Sequence, residues 1–424
     1  MPPEAQPPFL QTGWISLLSN YWLVFVVAFA VSVITTPIMR WVAIKTGIVD
    51  HPDEARKLHK EPVAYLGGVA IFLSVLSGIL VSYLWINKIQ IFQPFPLVVL
   101  LGMFVIGVTG LADDIFKDWA PRLKVAGQLI AAAAIAQQGV GTRVAEGFLR
   151  GVLGIPESVC NYTLIEANFL LADSITLTYI TGVIIIGFFI LGACNAANLL
   201  DGLDGLLSGT VAITCVGLIA ISTMVALGLT EENLVGIMEH FPKSNFLSNR
   251  GSGITLIGAN FVLGFSVLGA VLGFLIYNFN PASIFLGDSG SLLLGYLCIV
   301  MVLMLGEQGR TFLVVAGLIV FALPILDTLL AIIRRKVAGK PMSEPDSNHI
   351  HHIIKRRFVN VKLTVLTLYV VSVIFCLLGV ALVWAHTTGA VGAWAIYLVA
   401  IIVFGGICLV SFRAAHKHHK SCVE

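Results

Sequence analysis

Asn195-Ala-Ala-Asn198-Leu-Leu-Asp201-Gly202-Leu-Asp204-Gly205 stands between two runs, residues 178–194 and 206–229, that carry no charged side chain. Crossing about 30 Å of hydrocarbon as a helix takes roughly 20 such residues at 1.5 Å each. The stretch therefore reads as a polar connection between two membrane spans. An Asp near the centre of a span costs about 2.5–3.5 kcal/mol. Several amides and carboxylates placed this close to hydrocarbon call for a cation or a polar ligand.

The rest of the chain agrees with a membrane setting. Of its 424 residues 58% are hydrophobic and 11% charged, with a mean hydropathy of +0.95, where a soluble domain carries about 25% charged residues. A soluble globular protein is excluded on that ground. The net charge of +2 says little, because in a membrane protein the distribution of charge matters more than its sum. Seven cysteines lie scattered without paired spacing and read as small buried hydrophobes. The Pro-rich start has no positive region, so the first span is expected to serve as the insertion signal.

Apolar runs at 20–39, 66–86, 96–112, 123–138, 178–194, 206–229, 255–277, 290–305, 311–333, 363–385 and 391–412 predict an all-α, polytopic helical bundle of about eleven spans, the fourth and eighth short. An odd number puts the termini on opposite sides. With the amino terminus outside and the carboxyl terminus cytoplasmic, 19 of the 25 Lys and Arg residues fall on the cytoplasmic side, as positively charged connections require. The organisation is then a short outer tail (1–19), one transmembrane domain (20–412) and a basic cytoplasmic tail (413–424). The long outer connection at 139–177 has the alternation of a hairpin. A second one, at 230–254, is polar.

The polar clusters all gather on the cytoplasmic side, although Lys and Arg alone set the topology. They are Arg56-Lys-Leu-His59-Lys60 ahead of Gly67-Gly68, then Asp113-Asp114 with Asp118, the 195–205 stretch, Asn278-Phe-Asn280 with Phe285-Leu-Gly287-Asp288-Ser-Gly290, and His349-Ile-His351-His352 with Lys355-Arg356-Arg357. Adjacent carboxylates such as Asp113 and Asp114 repel each other unless a cation is present. An oxygen-rich set, Asp113, Asp114, Asn198, Asp201, Asp204 and Asp288, without clustered cysteines, favours Mg2+, with Mn2+ as a substitute. Acids and a metal facing Lys, Arg and His suit phosphoryl transfer. The membrane surface makes a lipid phosphate the natural partner. Each cluster also has an ordinary reading, since Asp113-Asp114 can be a solvated helix end, the basic run a topology signal, Phe285 a core residue and Gly67-Gly68 close helix packing. That all of them share one face argues against coincidence.

These motifs together resemble the polyprenyl-phosphate N-acetylhexosamine-1-phosphate transferases (glycosyltransferase 4 family), over about residues 20–412. The Asp-Ser-Asn-His-Ile-His-His segment resembles the bacterial branch that uses UDP-N-acetylglucosamine rather than the pentapeptide transferases, which carry three consecutive histidines. The resemblance implies transfer of N-acetylglucosamine 1-phosphate from UDP-N-acetylglucosamine to undecaprenyl phosphate, releasing UMP, at the cytoplasmic face of a bacterial plasma membrane. It further implies that Asp288 and Asn198, with Asp114, hold the metal. Asp113 or Asp114 would deprotonate the lipid phosphate. Leu199, Asp201, Gly202, Asp204 and Phe285 would form the nucleoside side, and His349, His351, His352 and Arg356 the sugar or diphosphate side. Asn195, Asn278, His59 and Lys60 complete the expected substrate contacts. A homodimer is a family expectation, and no nucleic acid is expected as a partner. Two competing readings are the same chemistry with UDP-MurNAc-pentapeptide or another UDP-N-acetylhexosamine, and a cation transporter, which would carry its acids near the bilayer midplane.

Overall fold

The computed structural model describes the chain except for residues 1–13, 51–61, 86–94, 117–119, 138, 170–171, 229–252, 307–308, 340, 342–348, 359, 410 and 414–424. His59 and Lys60 lie outside the described residues. The expected hydrophobic runs are helices almost throughout. A short α1 (Trp14–Ser19) precedes α2 (Trp22–Thr46), α3 (Gly67–Trp85), α4 (Leu97–Ile115) and α5 (Pro121–Gln137). Next come the short α6 (Arg143–Glu146) and α7 (Glu157–Cys160), then α8 (Leu177–Leu200), α9 (Leu206–Leu227), α10 (Gly253–Asn278) and α11 (Gly287–Leu305). The chain continues through α12 (Thr311–Val320), α13 (Ala322–Val337), α14 (Ile350–Phe358), α15 (Val361–Thr387) and α16 (Ala393–Ala400).

Among the described residues nine helices are long and apolar enough to cross a membrane, or ten if the bent pair α12–α13 is counted as one span. The fourth expected span, α5, is short, as its apolar run implied. Its 17 residues reach only about 26 Å at 1.5 Å per residue, and Arg122 and Lys124 occupy its first turn. The run 311–333, expected as one span, is bent by 80° between α12 and α13. Pro324 supplies the reason: it has no N–H to offer the carbonyl of Val320, and its ring crowds that turn. The connection between α5 and α8 does contain the expected hairpin, formed by β3 (Thr163–Phe169) and β4 (Ala172–Thr176). The earlier pair, β1 (Val49–Asp50) and β2 (Val63–Ala64), is only two residues long on each side.

Helix α11 is the axis of the bundle. Of its span 94% is buried, against 22% of α2, and α3, α4, α8 and α10 all pack on it. Its side chains are apolar on every face, as a helix surrounded by other helices requires. Gly287 and Asp288 open it. The first turn of the most buried helix is thus polar, which places the site at the end of the core.

Candidate active site

Three neighbouring elements meet at the start of α11. Asp114, in the last turn of α4, accepts the backbone N–H of Asp288 at 2.7 Å through Oδ1 and that of Ser289 at 3.0 Å through Oδ2. A carboxylate satisfying two orphan donors at a positive helix end is a favourable cap. Gly287 permits this contact, because its φ is +69° and a Cβ there would lie 2.6 Å from Asp114 Oδ2. Both oxygens of Asp114 are thereby engaged. Asp113 instead meets a cation, with its Oδ2 2.7 Å from Lys124 Nζ, and the same ammonium touches Asp288 Oδ2. Asn198 donates through Nδ2 to Asp288 Oδ1 at 2.8 Å and to Ser291 Oγ at 2.9 Å. Asp288 is consequently fixed from both sides.

A cavity of about 590 Å³ opens beside Asp288. Asn198, Asp201, Gly202, Asp204, Asn278, Phe285 and His352 line it, as do Lys355 from the basic run after the histidines and two residues that sequence reading did not select, Asp50 and Tyr65. Its walls are tied together by the backbone. Phe285 N donates to Ala64 O at 2.8 Å, while Gly67 N and Gly68 N donate to the carbonyls of Phe285 and Leu286 at 3.0 and 2.9 Å. This ladder sets the Phe285 ring edge-on to Tyr65, with centroids 6.0 Å apart. Asp204 Oδ2 accepts from Asn280 Nδ2 at 2.8 Å and from Ala282 N at 3.0 Å. The connection after α8 is so joined to the one before α11. Asn278 has the same kind of work, accepting from Ser208 Oγ at 2.9 Å and donating to Ile284 O at 3.0 Å.

The three histidines differ in position. His349 is 6% exposed and His351 2% exposed, and neither lines the cavity; His352 does. His349 Nδ1 is 2.9 Å from Asp327 Oδ2, and Ile350 N donates to Asp327 Oδ1 at 2.7 Å. His351 lies over Gly202, where a Cβ would come within 2.3 Å of its Nε2. Glycine at that position is what lets the histidine helix α14 close on the connection. Arg356 is on the exposed side of α14. Asn195 does not line the cavity and donates through Nδ2 to Gln128 Oε1 at 3.0 Å, and Leu199 does not line the cavity either.

The electrostatics follow from crowding. Burial, with Asp288, Asp114 and Asp204 nearby, pushes the Asp201 carboxyl up to about 8, although part of the residue stays open to the cavity. Burial first, and the nearby acids after it, hold the Tyr65 hydroxyl above its usual range. Burial and the neighbouring His352 depress His351 to about 3, so it is neutral at any physiological pH. The site thus gathers more negative charge than Lys124 alone offsets. Among the described residues no three His, Cys, Asp or Glu side chains converge on one point. A divalent ion here can take two carboxylates, and oxygens from water and a phosphate complete its shell. Asp113 and Asp288, which already share one cation, are the pair that fits.

The fold and cavity define a polytopic membrane protein with an acid-rich polar site at the ends of its spans. Comparison with known proteins identifies its kind. The profile of glycosyl transferase family 4 matches residues 96–306. A probable undecaprenyl-phosphate N-acetylglucosaminyl 1-phosphate transferase of Bacillus subtilis is 32% identical over 86% of this chain and 87% of its own length. A decaprenyl-phosphate N-acetylglucosaminephosphotransferase of Mycolicibacterium smegmatis is 31% identical over 78% of this chain and 74% of its own. A phospho-N-acetylmuramoyl-pentapeptide-transferase of Bacillus thuringiensis is 28% identical over 79% and 89%. The chain belongs to glycosyl transferase family 4.

Proposed function

We propose that this protein transfers N-acetylglucosamine 1-phosphate from UDP-N-acetylglucosamine to undecaprenyl phosphate, giving undecaprenyl-diphospho-N-acetylglucosamine and UMP. The observation that carries the reading is the meeting of Asp113, Lys124 and Asp288 beside a cavity lined by Asp201, Gly202, Asp204 and Phe285. The name of the Bacillus subtilis relative supports the donor and acceptor. In this reading an oxygen of the lipid phosphate attacks the β-phosphorus of the donor, a new P–O–P bond forms, and the bond to the α-phosphate breaks with UMP leaving. Asp113 takes the remaining proton of the lipid phosphate, and Lys124 neutralises charge between the two carboxylates. Asp288 and Asp113, with the Oδ1 of Asn198, would hold Mg2+, which when bound supplies Lewis-acid stabilisation of the diphosphate. Asp114 acts by holding Asp288 in place. Phe285 with Gly202 and Asp204 forms the uridine side, and His352 with Lys355 offers hydrogen bonds and charge to the diphosphate or sugar.

The excess of Lys and Arg on one side supports an outer amino terminus and a site on the cytoplasmic face of a bacterial plasma membrane. A second reading keeps the chemistry and changes the donor to UDP-MurNAc-pentapeptide or another UDP-N-acetylhexosamine; the Bacillus thuringiensis relative favours it, and the His349-Ile-His351-His352 spacing argues against the pentapeptide. The transporter reading loses support from the acids themselves, which sit in the last turn of α4, just past α8 and in the first turn of α11. The test offers purified protein, Mg2+ and undecaprenyl phosphate a panel of UDP-sugars. Preferential UMP release with UDP-N-acetylglucosamine supports the proposal, and preference for another UDP-sugar overturns the donor assignment.

A further inference from the structure

Asp327 is fully buried in α13, past the 80° bend, and the site described so far does not use it. A buried carboxylate is tolerated only when its oxygens are engaged. Both of these oxygens are given to the start of one short helix, Oδ2 to the ring of His349 and Oδ1 to the N–H of Ile350. That helix, α14, has 9 residues, of which only His351 is buried. A helix of this length is marginal by itself, so its docking depends on its cap and on a few contacts. His349 and His351 stack with centroids 5.7 Å apart and planes 8° from parallel, which carries the anchored geometry from His349 to the ring lying over Gly202. His352 and Lys355, three residues apart and so on one face, are the residues α14 adds to the cavity wall.

We infer that Asp327 is a positioning residue for the UDP-sugar donor: by fixing His349 and the first turn of α14 it sets which face of that helix the cavity receives. The dyad touches no substrate and acts through His352 and Lys355. This rests on the donor reading of the cavity given above. Asp113, Lys124 and Asp288 come from α4, α5 and α11, so the reacting centre does not depend on the same anchor.

The experiment compares Asp327→Leu, which removes both contacts, with Asp327→Asn, which keeps an acceptor for Ile350 N and can meet His349 in its other tautomer. For Asp327→Leu the KM for UDP-N-acetylglucosamine should rise tenfold or more, with kcat and the KM for undecaprenyl phosphate changed less than threefold. Asp327→Asn should stay within about threefold of wild type. In a His352→Ala/Lys355→Ala background the Leu substitution should add less than a further twofold, because the residues it acts through are gone. Trypsin gives a readout that needs no turnover: cleavage at Arg356 and Arg357, both exposed on α14, should be several-fold faster in Asp327→Leu. An unchanged donor KM, an equal loss in both variants, an effect confined to kcat, or an unchanged cleavage rate would each overturn the inference. Wild-type protein that releases no UMP from any UDP-sugar would instead sink the donor reading, while the trypsin comparison still scores the anchor.

Discussion

Two aspartates cap two helices at this cavity, Asp114 at the start of α11 and Asp327 at the start of α14, and the helices differ in what else holds them. Helix α11 is enclosed by α3, α4, α8 and α10, so its cap adjusts a structure already in place. Helix α14 is short and mostly uncovered, so its cap determines whether it docks. They also present different groups, a carboxylate shared with Lys124 in one case and His352 with Lys355 in the other. On the proposed function the first arrangement serves the reacting phosphates and should govern kcat. The second serves the donor on the same proposal and should govern its KM.

The contrast is sharpest at the reacting centre. Asp288→Asn removes the charge that Lys124 and Asn198 hold, and kcat should fall by about 10³-fold or more, the scale of losing a group that stabilises transition-state charge, while the protein still inserts. UMP release at normal expression checks it, and near-wild-type turnover breaks the assignment of Asp288. Chelation with EDTA should lower turnover by about 10²-fold or more, with recovery on adding Mg2+ or Mn2+; full activity in EDTA would remove the metal from the account. Asp114→Asn leaves one carbonyl oxygen to cap α11 and turns an amide against the other N–H. A displacement of about 1 Å costs on the order of 10²-fold, so kcat should fall between 10- and 100-fold by this estimate, less than for Asp288→Asn. An equal loss in both variants would mean that Asp114 itself meets the reacting groups.

On the donor side the effects are smaller. Gly202→Ala puts a Cβ within 2.3 Å of His351 Nε2 and should push α14 outward, raising the donor KM about tenfold, the equivalent of roughly 1.4 kcal/mol within the usual range for overpacking. Initial rates at varied UDP-sugar would show it; a change in kcat alone would place Gly202 with the first region. The remaining effect is on stability and leaves turnover aside. A buried Asp201 with its pKa raised to about 8, against about 3.9 unfolded, costs the fold nothing when both states are protonated. The cost accumulates as pH rises from about 3.9 and is complete above about 8. In EDTA the thermal midpoint should therefore drop between about pH 4 and pH 8 and level off above that, and Asp201→Asn should flatten that slope.

How much of this could be read beforehand differs between the same two regions. Asp113, Asp114, Asp201, Asp204 and Asp288 stand out because polar residues at the ends of apolar runs are costly and short-range in sequence. Lys124 was counted only as a topology charge, since nothing in its spacing ties it to Asp288, 164 residues on. Asp327 was legible in principle: an Asp inside the run 311–333 invites the same argument about cost that singled out 195–205, and Pro324 marked the bend. What sequence could not supply is which histidine faces inward. His349, His351 and His352 look equivalent as a motif, and only docking on Asp327 and Gly202 separates anchor from wall. Asn195, Leu199 and Asn278 show the converse, chemically suitable residues whose partners, or whose facing, are set by packing between helices.

The central claim is that the β-phosphate of the donor moves to a lipid phosphate. It is tested most directly by following UDP-N-acetylglucosamine labelled at the α- or the β-phosphorus with purified protein, Mg2+ and undecaprenyl phosphate. The account predicts that the β-label enters the lipid fraction as a diphosphate and the α-label is recovered as UMP. Both labels remaining in water-soluble nucleotide, or the β-label released as free phosphate, would contradict it.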